Sequence, residues 1–169
     1  SERKMKVITR KSWGAAPAHG LVSNPLSPDS TLYVHWSTGR FAAIDTVEEA
    51  KASIRSIQAY HQGSNGWADI AYSYLVVQAR GELEHALILE GRLFRNIPAA
   101  QEGHNTGNGA VCVLMGEGEP LLDGTLAALR QVYAHFPGRL LKGHRDAGQT
   151  ECPGDKLYAH LSDIRRAPK

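Results

Sequence analysis

The residue types that could do chemistry in this chain are concentrated in one short segment, residues 143–154. This segment contains His144 and Cys152, an imidazole and a thiol separated by seven residues and close enough to bind one metal ion. A third candidate, His35, ends the stretch 31–35, whose residue types are typical of a β-strand. Two imidazoles and a thiolate would give zinc three protein ligands and leave the fourth tetrahedral position for water. This arrangement suggests a hydrolase.

Most of the eight histidines have an ordinary structural explanation. Four lie in polar or helical surroundings without candidate partners and fit surface histidines: His19, His85, His135 and His160. His61 lies at the end of a predicted helix, where a structural hydrogen bond or the helix dipole explains it. A histidine at the end of a strand, such as His35, is more often a buried structural residue than a metal ligand. A loop thiol beside a glycine turn rarely has a packing role, so a zinc site is favoured, with a Cys–His nucleophile pair as the chemical alternative.

Composition limits the function classes. The chain has 169 residues, 42% of them hydrophobic, which predicts one domain over 1–169 with a basic, irregular leader at about 1–30. A net charge of +2 does not indicate nucleic-acid binding, and no apolar run approaches the roughly 18 residues of a membrane span. No signal peptide is expected, because the first stretch lacks a hydrophobic block. Two cysteines exclude a disulfide-rich scaffold, and Cys112 is expected in the core. The protein is expected to be a monomer.

The hydrophobic periodicity alternates between strands and helices. A helix is predicted over 46–61, another from Asp123 to a stop at Pro137, and a last one that begins at Asp155. Strands are predicted at 31–35, 72–79, 83–89, 110–115 and 140–142. The stretch 91–109 reads as a long loop, and loops of that length are often functional. The pattern predicts an α/β fold: a central mixed sheet, helices on both faces, and a zinc cleft at the strand ends.

Two hydroxyl groups could stabilise an oxyanion near such a zinc ion. Tyr72 begins the predicted central strand, and Thr150 lies two residues before Cys152. Either hydroxyl could hydrogen-bond the negative charge that develops on a carbonyl oxygen. By residue type alone, a core aromatic and a turn residue are the more ordinary interpretations.

The chain resembles the type 2 N-acetylmuramoyl-L-alanine amidases, the superfamily that includes peptidoglycan recognition proteins and phage lysozyme-type amidases. Matching segments follow one another through nearly the whole chain: 12–15, 34–37, 60–61, 66–72, 90–92, 103–105, 114–116, 143–146 and 150–154. The resemblance implies hydrolysis of the amide that joins N-acetylmuramic acid to L-alanine of the peptidoglycan stem peptide. It places the action at the bacterial cell wall, as a phage endolysin or as a mature or excised domain.

The same resemblance implies roles for individual residues. Zinc (Zn2+) would be held by His35, His144 and Cys152, and Tyr72 and Thr150 would assist catalysis. Substrate contacts are expected from five further residues: Trp36, His61, Trp67, His104 and Asn105.

The sequence departs from the family pattern at several positions. Trp36 stands where many members have a second histidine, and Val113 stands where some branches place a catalytic glutamate. If the alignment slips, Glu90 or Glu102 could fill that role. The loop 93–102 does not match the usual stem-peptide pocket, so lysine-type and diaminopimelate-type peptides both remain open.

Two other functions remain open beside the amidase. Non-catalytic recognition proteins share the fold but typically lack the zinc cysteine, so the presence of Cys152 favours an enzyme over a binding module. A hydrolase with Cys152 as its nucleophile would be inactivated by thiol alkylation and would be indifferent to metal removal.

Overall fold

The centre of the structure is a five-stranded mixed sheet. The computed structural model describes residues 5–41, 43–78 and 86–166. The strands are β1 (Thr31–Trp36), β2 (Tyr74–Val77), β3 (Leu87–Glu90), β4 (Gly109–Leu114) and β5 (Leu140–Gly143). Their order is β3-β2-β4-β1-β5, and every neighbouring pair is parallel except the antiparallel pair β2–β3. The predicted mixed α/β sheet is confirmed.

Helices cover both faces of this sheet, as predicted. One face, here called the α2 face, packs against α1 (Arg10–Trp13) and α2 (Val47–Gly63). The other, the α3 face, packs against α3 (Asp123–His135), α4 (Asp155–Ala159) and α5 (Leu161–Arg165). Because parallel strands are buried on both faces, β1 and β4 read as nearly continuous apolar runs.

Local capping explains where the two long helices begin. Thr46 and Glu49 form a reciprocal capping box before α2, so the helix begins close to its predicted start. No side chain of α3's own N-terminus caps that helix. The buried Gln78 at the end of β2 does so instead: its Oε1 accepts from the backbone N–H of Leu122 (2.9 Å) and from the Thr125 hydroxyl (2.7 Å).

Two segments differ from the predicted elements. The predicted irregular leader contains α1, because the Thr9 side chain caps its start and Gly14 ends it in the left-handed conformation. The fully buried Trp13 fixes this turn by donating to the Glu90 carbonyl at 2.8 Å. The single predicted C-terminal helix is two short ones interrupted at His160. The last residue of the predicted 72–79 strand and the first residues of the 83–89 strand lie outside the described residues.

The neighbouring parallel strands β1 and β5 create the setting for the predicted site. Their register pairs Val34 with Gly143, so His144 follows β5 beside the carboxyl end of β1. Since side chains alternate along a strand, His35 faces the α2 face with Cys112, while Val34 and Trp36 face the α3 face. Within the described chain, no helix combines the length and apolar character needed to cross a membrane.

Candidate metal centre

Three side chains from distant parts of the sequence converge beside β1. One nitrogen each of His35 and His144 and the sulfur of Cys152 lie within 4.8 Å of one another. The two imidazole ring centroids are 4.6 Å apart, and Cys152 Sγ lies 3.6 Å from His35 Nδ1. The structure therefore brings together all three residues predicted as ligands.

The loop after β5 folds back to place Cys152 beside His144. A short 3-10 turn, His144–Asp146, follows the strand, and the Asp146 carboxylate accepts from the Gly143 N–H at 3.0 Å. The Arg145 N–H donates to the Cys152 carbonyl at 2.9 Å. The Thr150 hydroxyl oxygen accepts from the Cys152 N–H at 3.2 Å. These bonds close the loop and aim the thiol at the two imidazoles.

The electrostatic setting fits a divalent cation. Burial, reinforced by the neighbouring His144, lowers the pKa of His35 to about 3, and burial also lowers the pKa of His144. Both rings are therefore neutral near pH 7 and offer lone pairs, which is the ligating form of histidine. Burial raises the pKa of Cys152 to about 11. The backbone N–H of Trp36, 3.4 Å from the sulfur, and the charge of Arg145 favour the thiolate and oppose this rise.

This donor set suits zinc better than a hard cation. Two imidazoles and a sulfur are ligands that zinc accepts in tetrahedral sites, whereas magnesium and calcium prefer oxygen. Among the described residues, no carboxylate belongs to the cluster. A bound cation would stabilise the Cys152 thiolate and release its proton, so the raised pKa of the thiol agrees with a ligand that ionises on metal binding.

Tyr72 lies beside His35. The ring centroids of Tyr72 and His35 are 5.4 Å apart, and the Cys112 thiol lies close enough to influence the Tyr72 hydroxyl. Burial, with a smaller effect of Cys112, raises the pKa of Tyr72 well above its usual value. The hydroxyl therefore stays protonated and able to donate. The predicted helper Thr150 is exposed beside Cys152.

A groove runs from Tyr72 along α2 and is here called the aromatic groove. Its lining combines serine hydroxyls with aromatic and aliphatic side chains: Ser37, Phe41, Ala52, Ser53, Ser56, Ile57, Tyr60, His61 and Tyr72. The predicted contact residue His61 lies in it, with Nδ1 accepting from the Ala71 N–H at 3.0 Å. Trp67 is not among the lining residues, but it is 38% exposed and its ring centroid lies 4.9 Å from that of His61. Apolar walls with a few hydroxyls are typical of a ligand-binding groove.

Three other predicted contact residues do not line this groove. The Trp36 ring packs on the α3 face against Gly154, because adjacent strand residues point to opposite faces. Its backbone contacts the Cys152 sulfur, with the N–H at 3.4 Å and the carbonyl oxygen at 4.0 Å. His104 is exposed in the loop before β4, with its ring 6.2 Å from that of Tyr33. The Asn105 side-chain oxygen accepts from the N–H groups of Ala100 and Gln101, both at 3.0 Å. Asn105 thus shapes its own loop.

No candidate for a catalytic glutamate reaches the cluster. Val113 is fully buried on the α3 face, and the residue of β4 that faces the cluster is its neighbour Cys112. The Glu90 carboxylate accepts from the Arg10 N–H at 2.9 Å. Glu102 is exposed in the loop before β4.

One residue of the site escaped the sequence prediction. Gln101 is almost fully buried, and its Oε1 lies 2.8 Å from His35 Nε2. Its only signal in the sequence is its position in the long loop 91–109. A glutamine there would ordinarily be read as a solvated loop residue.

Comparison with known proteins identifies the family. A human N-acetylmuramoyl-L-alanine amidase is 32% identical over 160 residues, which are 88% of this chain and 26% of that protein. Peptidoglycan-recognition protein LB of Drosophila melanogaster is 30% identical over 166 residues, 93% of this chain and 68% of that protein. The chain belongs to the family of N-acetylmuramoyl-L-alanine amidases and peptidoglycan-recognition proteins. No protein-family model matches it.

Solved structures of this amidase and recognition-protein family share the fold. A variant of Drosophila peptidoglycan-recognition protein LB, solved in complex with tracheal cytotoxin, superposes with a TM-score of 0.76. The match covers 92% of each chain at 25% identity. The chain spans about a quarter of the human amidase, at 26% of its length.

Proposed function

We propose that this protein is a zinc-dependent N-acetylmuramoyl-L-alanine amidase that degrades peptidoglycan at the bacterial cell wall. The observation that carries the proposal is the convergence of two neutral imidazoles and one thiol within 4.8 Å, next to the aromatic groove. Such a set leaves one tetrahedral position for water. The amidase names of several relatives agree with it.

The roles of the residues follow from their positions. His35, His144 and Cys152 would hold the zinc ion, which supplies a Lewis acid and an activated water molecule when bound. The protonated Tyr72 hydroxyl would donate a hydrogen bond to the oxygen of the scissile carbonyl as negative charge develops there. The exposed Thr150 hydroxyl would add a second polar contact at the opposite edge of the cluster.

The groove would position the substrate. His61 and Trp67 would offer ring surfaces for the muramyl peptide. His104, whose ring lies 6.2 Å from that of Tyr33, would contact it from the loop before β4. Trp36 would act through its backbone N–H, which donates to the Cys152 sulfur. A partly apolar groove with few charges suits a sugar–peptide ligand.

Two rival functions make different use of the same residues. A recognition module would bind peptidoglycan without cleaving it, a possibility that the names of several relatives favour. A cysteine nucleophile needs a lowered thiol pKa, whereas burial raises the pKa of Cys152 to about 11. Both roles need the thiolate, but only the ligand role brings a cation that would offset the burial, so the environment of Cys152 favours that role.

Product analysis tests the proposal. Purified peptidoglycan is incubated with the zinc-loaded protein, with protein stripped by a chelator, and with stripped protein given zinc again. Mass spectrometry should find free stem peptides that begin with L-alanine in the first and third samples only. Binding without any release would indicate a recognition module. Cleavage that survives chelation and is lost on thiol alkylation would indicate a cysteine nucleophile. The released peptides also identify the lysine or diaminopimelate stem.

A further inference from the structure

The two ring nitrogens of His35 face different partners. Nδ1 points to Cys152 Sγ at 3.6 Å, and Nε2 points to the side-chain oxygen of Gln101 at 2.8 Å. An amide oxygen can only accept a hydrogen bond. The Nε2 atom must therefore carry the proton of the neutral ring, which leaves the Nδ1 lone pair directed into the cluster.

The orientation of the Gln101 amide is itself fixed. Its nitrogen lies 3.3 Å from the His104 carbonyl oxygen and 3.5 Å from the Gly109 carbonyl oxygen, and both of these groups are acceptors. A flipped amide would set its oxygen against two carbonyl oxygens and its NH2 group against His35 Nε2. The network thus assigns the oxygen to His35.

The loop around Gln101 is built to hold this amide in place. The Gln101 backbone N–H donates to Asn105 Oδ1 at 3.0 Å, and the Gln101 carbonyl accepts from the His104 N–H at 2.8 Å. Gln101 is 1% exposed and His35 2%, so water cannot replace either partner. The residue does not line the aromatic groove. Its chemistry is directed at the histidine.

We infer that Gln101 is the positioning residue that selects the Nε2–H tautomer of His35 and aims Nδ1 at the metal. The inference rests on the proposed metal site but not on the reaction performed there. Partners of this kind orient metal-binding histidines, and their loss typically weakens metal affinity by about 10- to 100-fold. A mere packing role for Gln101 would leave the tautomer unaffected.

The direct test is nitrogen NMR of the metal-free protein. A long-range 1H–15N spectrum, with His35 assigned by comparison with His35→Ala, should show His35 solely as the Nε2–H tautomer. In Gln101→Met, both tautomers should be present. An Nδ1–H tautomer in the unmodified protein, or an unchanged tautomer in Gln101→Met, would overturn the inference.

Zinc affinity, measured by competition with a chromophoric chelator, gives a second test. Gln101→Met should bind zinc about 10- to 100-fold more weakly. Gln101→Glu keeps an oxygen for Nε2–H but loses the donors to the two carbonyls, so it should bind at least tenfold more tightly than Gln101→Met. Equal losses in both variants would indicate a packing role and contradict the inference. If Gln101→Met does not fold, the inference is tested by the zinc affinity of Gln101→Glu and by the His35 tautomer of the unmodified protein.

Gln78 provides the matched control. It is equally buried at 3% exposure and equally hydrogen-bonded, but it caps α3 on the other side of the sheet. Gln78→Met should lower the melting temperature without changing zinc affinity. A similar loss of affinity in this control would overturn the inference. If the protein binds zinc but cleaves no peptidoglycan, the amidase proposal is contradicted and the inferred role of Gln101 is unaffected.

Discussion

Cys152 combines two properties that conflict unless a cation is present. It is 8% exposed, which penalises the thiolate, and yet it receives a backbone N–H from Trp36 and lies near Arg145, which both favour negative charge. The chain's other cysteine, Cys112, is fully buried beside Tyr72. The two thiols therefore have different expected roles, one as a ligand and one as a wall of the site.

Replacing Cys152 by serine should abolish both zinc retention and hydrolysis. A hydroxyl does not ionise as a thiol does, so the site would lose its anionic ligand. Zinc content by elemental analysis and peptide release by mass spectrometry measure the two effects. Cys112→Ala is the matched control and should keep its zinc. A Cys152→Ser protein with a full complement of zinc would contradict the ligand assignment.

Tyr72→Phe should leave zinc bound and slow turnover by roughly 10²-fold, because the variant lacks the donor for the oxyanion. Tyr74→Phe is a suitable control, since Tyr74 packs on the α3 face with its ring centroid 4.8 Å from that of Phe94. The measurement is kcat on a soluble muramyl peptide together with zinc content. Normal turnover in Tyr72→Phe would contradict the catalytic role of the hydroxyl and leave Tyr72 as a residue that only lines the groove.

Among the structural elements, the junction between α2 and β2 depends on one histidine. His61, near the end of α2, accepts from the Ala71 N–H just before β2. Burial, with a smaller effect of Arg92, lowers its pKa to about 4. Acid therefore protonates the unfolded chain before the folded one, and the stability that depends on neutral His61 is complete above about pH 6.5 and lost progressively down to pH 4.

Neutral His61 should contribute about 1 to 2 kcal/mol to the free energy of unfolding, after allowance for partial solvation of the ring. Urea unfolding of the zinc-free protein at pH 7, 5 and 4 measures it. His61→Gln, which retains an acceptor for the Ala71 N–H, should lose less stability across this range than the unmodified protein. The exposed helix-end residue His135 gives the control His135→Gln, which should follow the unmodified protein. Parallel curves for His61→Gln and the unmodified protein would exclude the titration of His61 as a source of acid sensitivity.

Long elements with a clear period were predictable from the sequence, and short or cooperative features were not. The spacing of Ala50, Ile54 and Ile57 predicts α2, whereas α1 has only four residues and depends on the Thr9 cap and the burial of Trp13. The opposite orientations of His35 and Trp36 follow from strand alternation alone, so the sequence already predicts that the two side chains face different sides of the sheet. Gln101 could not be predicted, because its role exists only where its loop meets a strand 66 positions away.

Across the whole molecule, a metal ion bound at the candidate centre would link the paired strands β1 and β5 to the loop that carries Cys152. His35 belongs to β1 and His144 to the turn after β5, while Cys152 lies beyond a loop that leads into α4. An ion bound to all three would add a cross-link that the unfolded chain lacks. The centre is therefore expected to contribute to stability as well as to chemistry.

Chelation should lower the melting temperature of the zinc-loaded protein. Free zinc at about 100 times its dissociation constant stabilises the folded state by about 2.7 kcal/mol. For a chain of this size, each kcal/mol shifts the midpoint by about 2 to 4 °C, so a shift of about 5 to 11 °C is expected. Scanning calorimetry with and without chelator measures it, with Cys152→Ser as the control that should melt at one temperature in both conditions. A shift of the same size in Cys152→Ser would mean that the zinc responsible is bound elsewhere, because the link between β1 and the loop before α4 needs the sulfur of that residue.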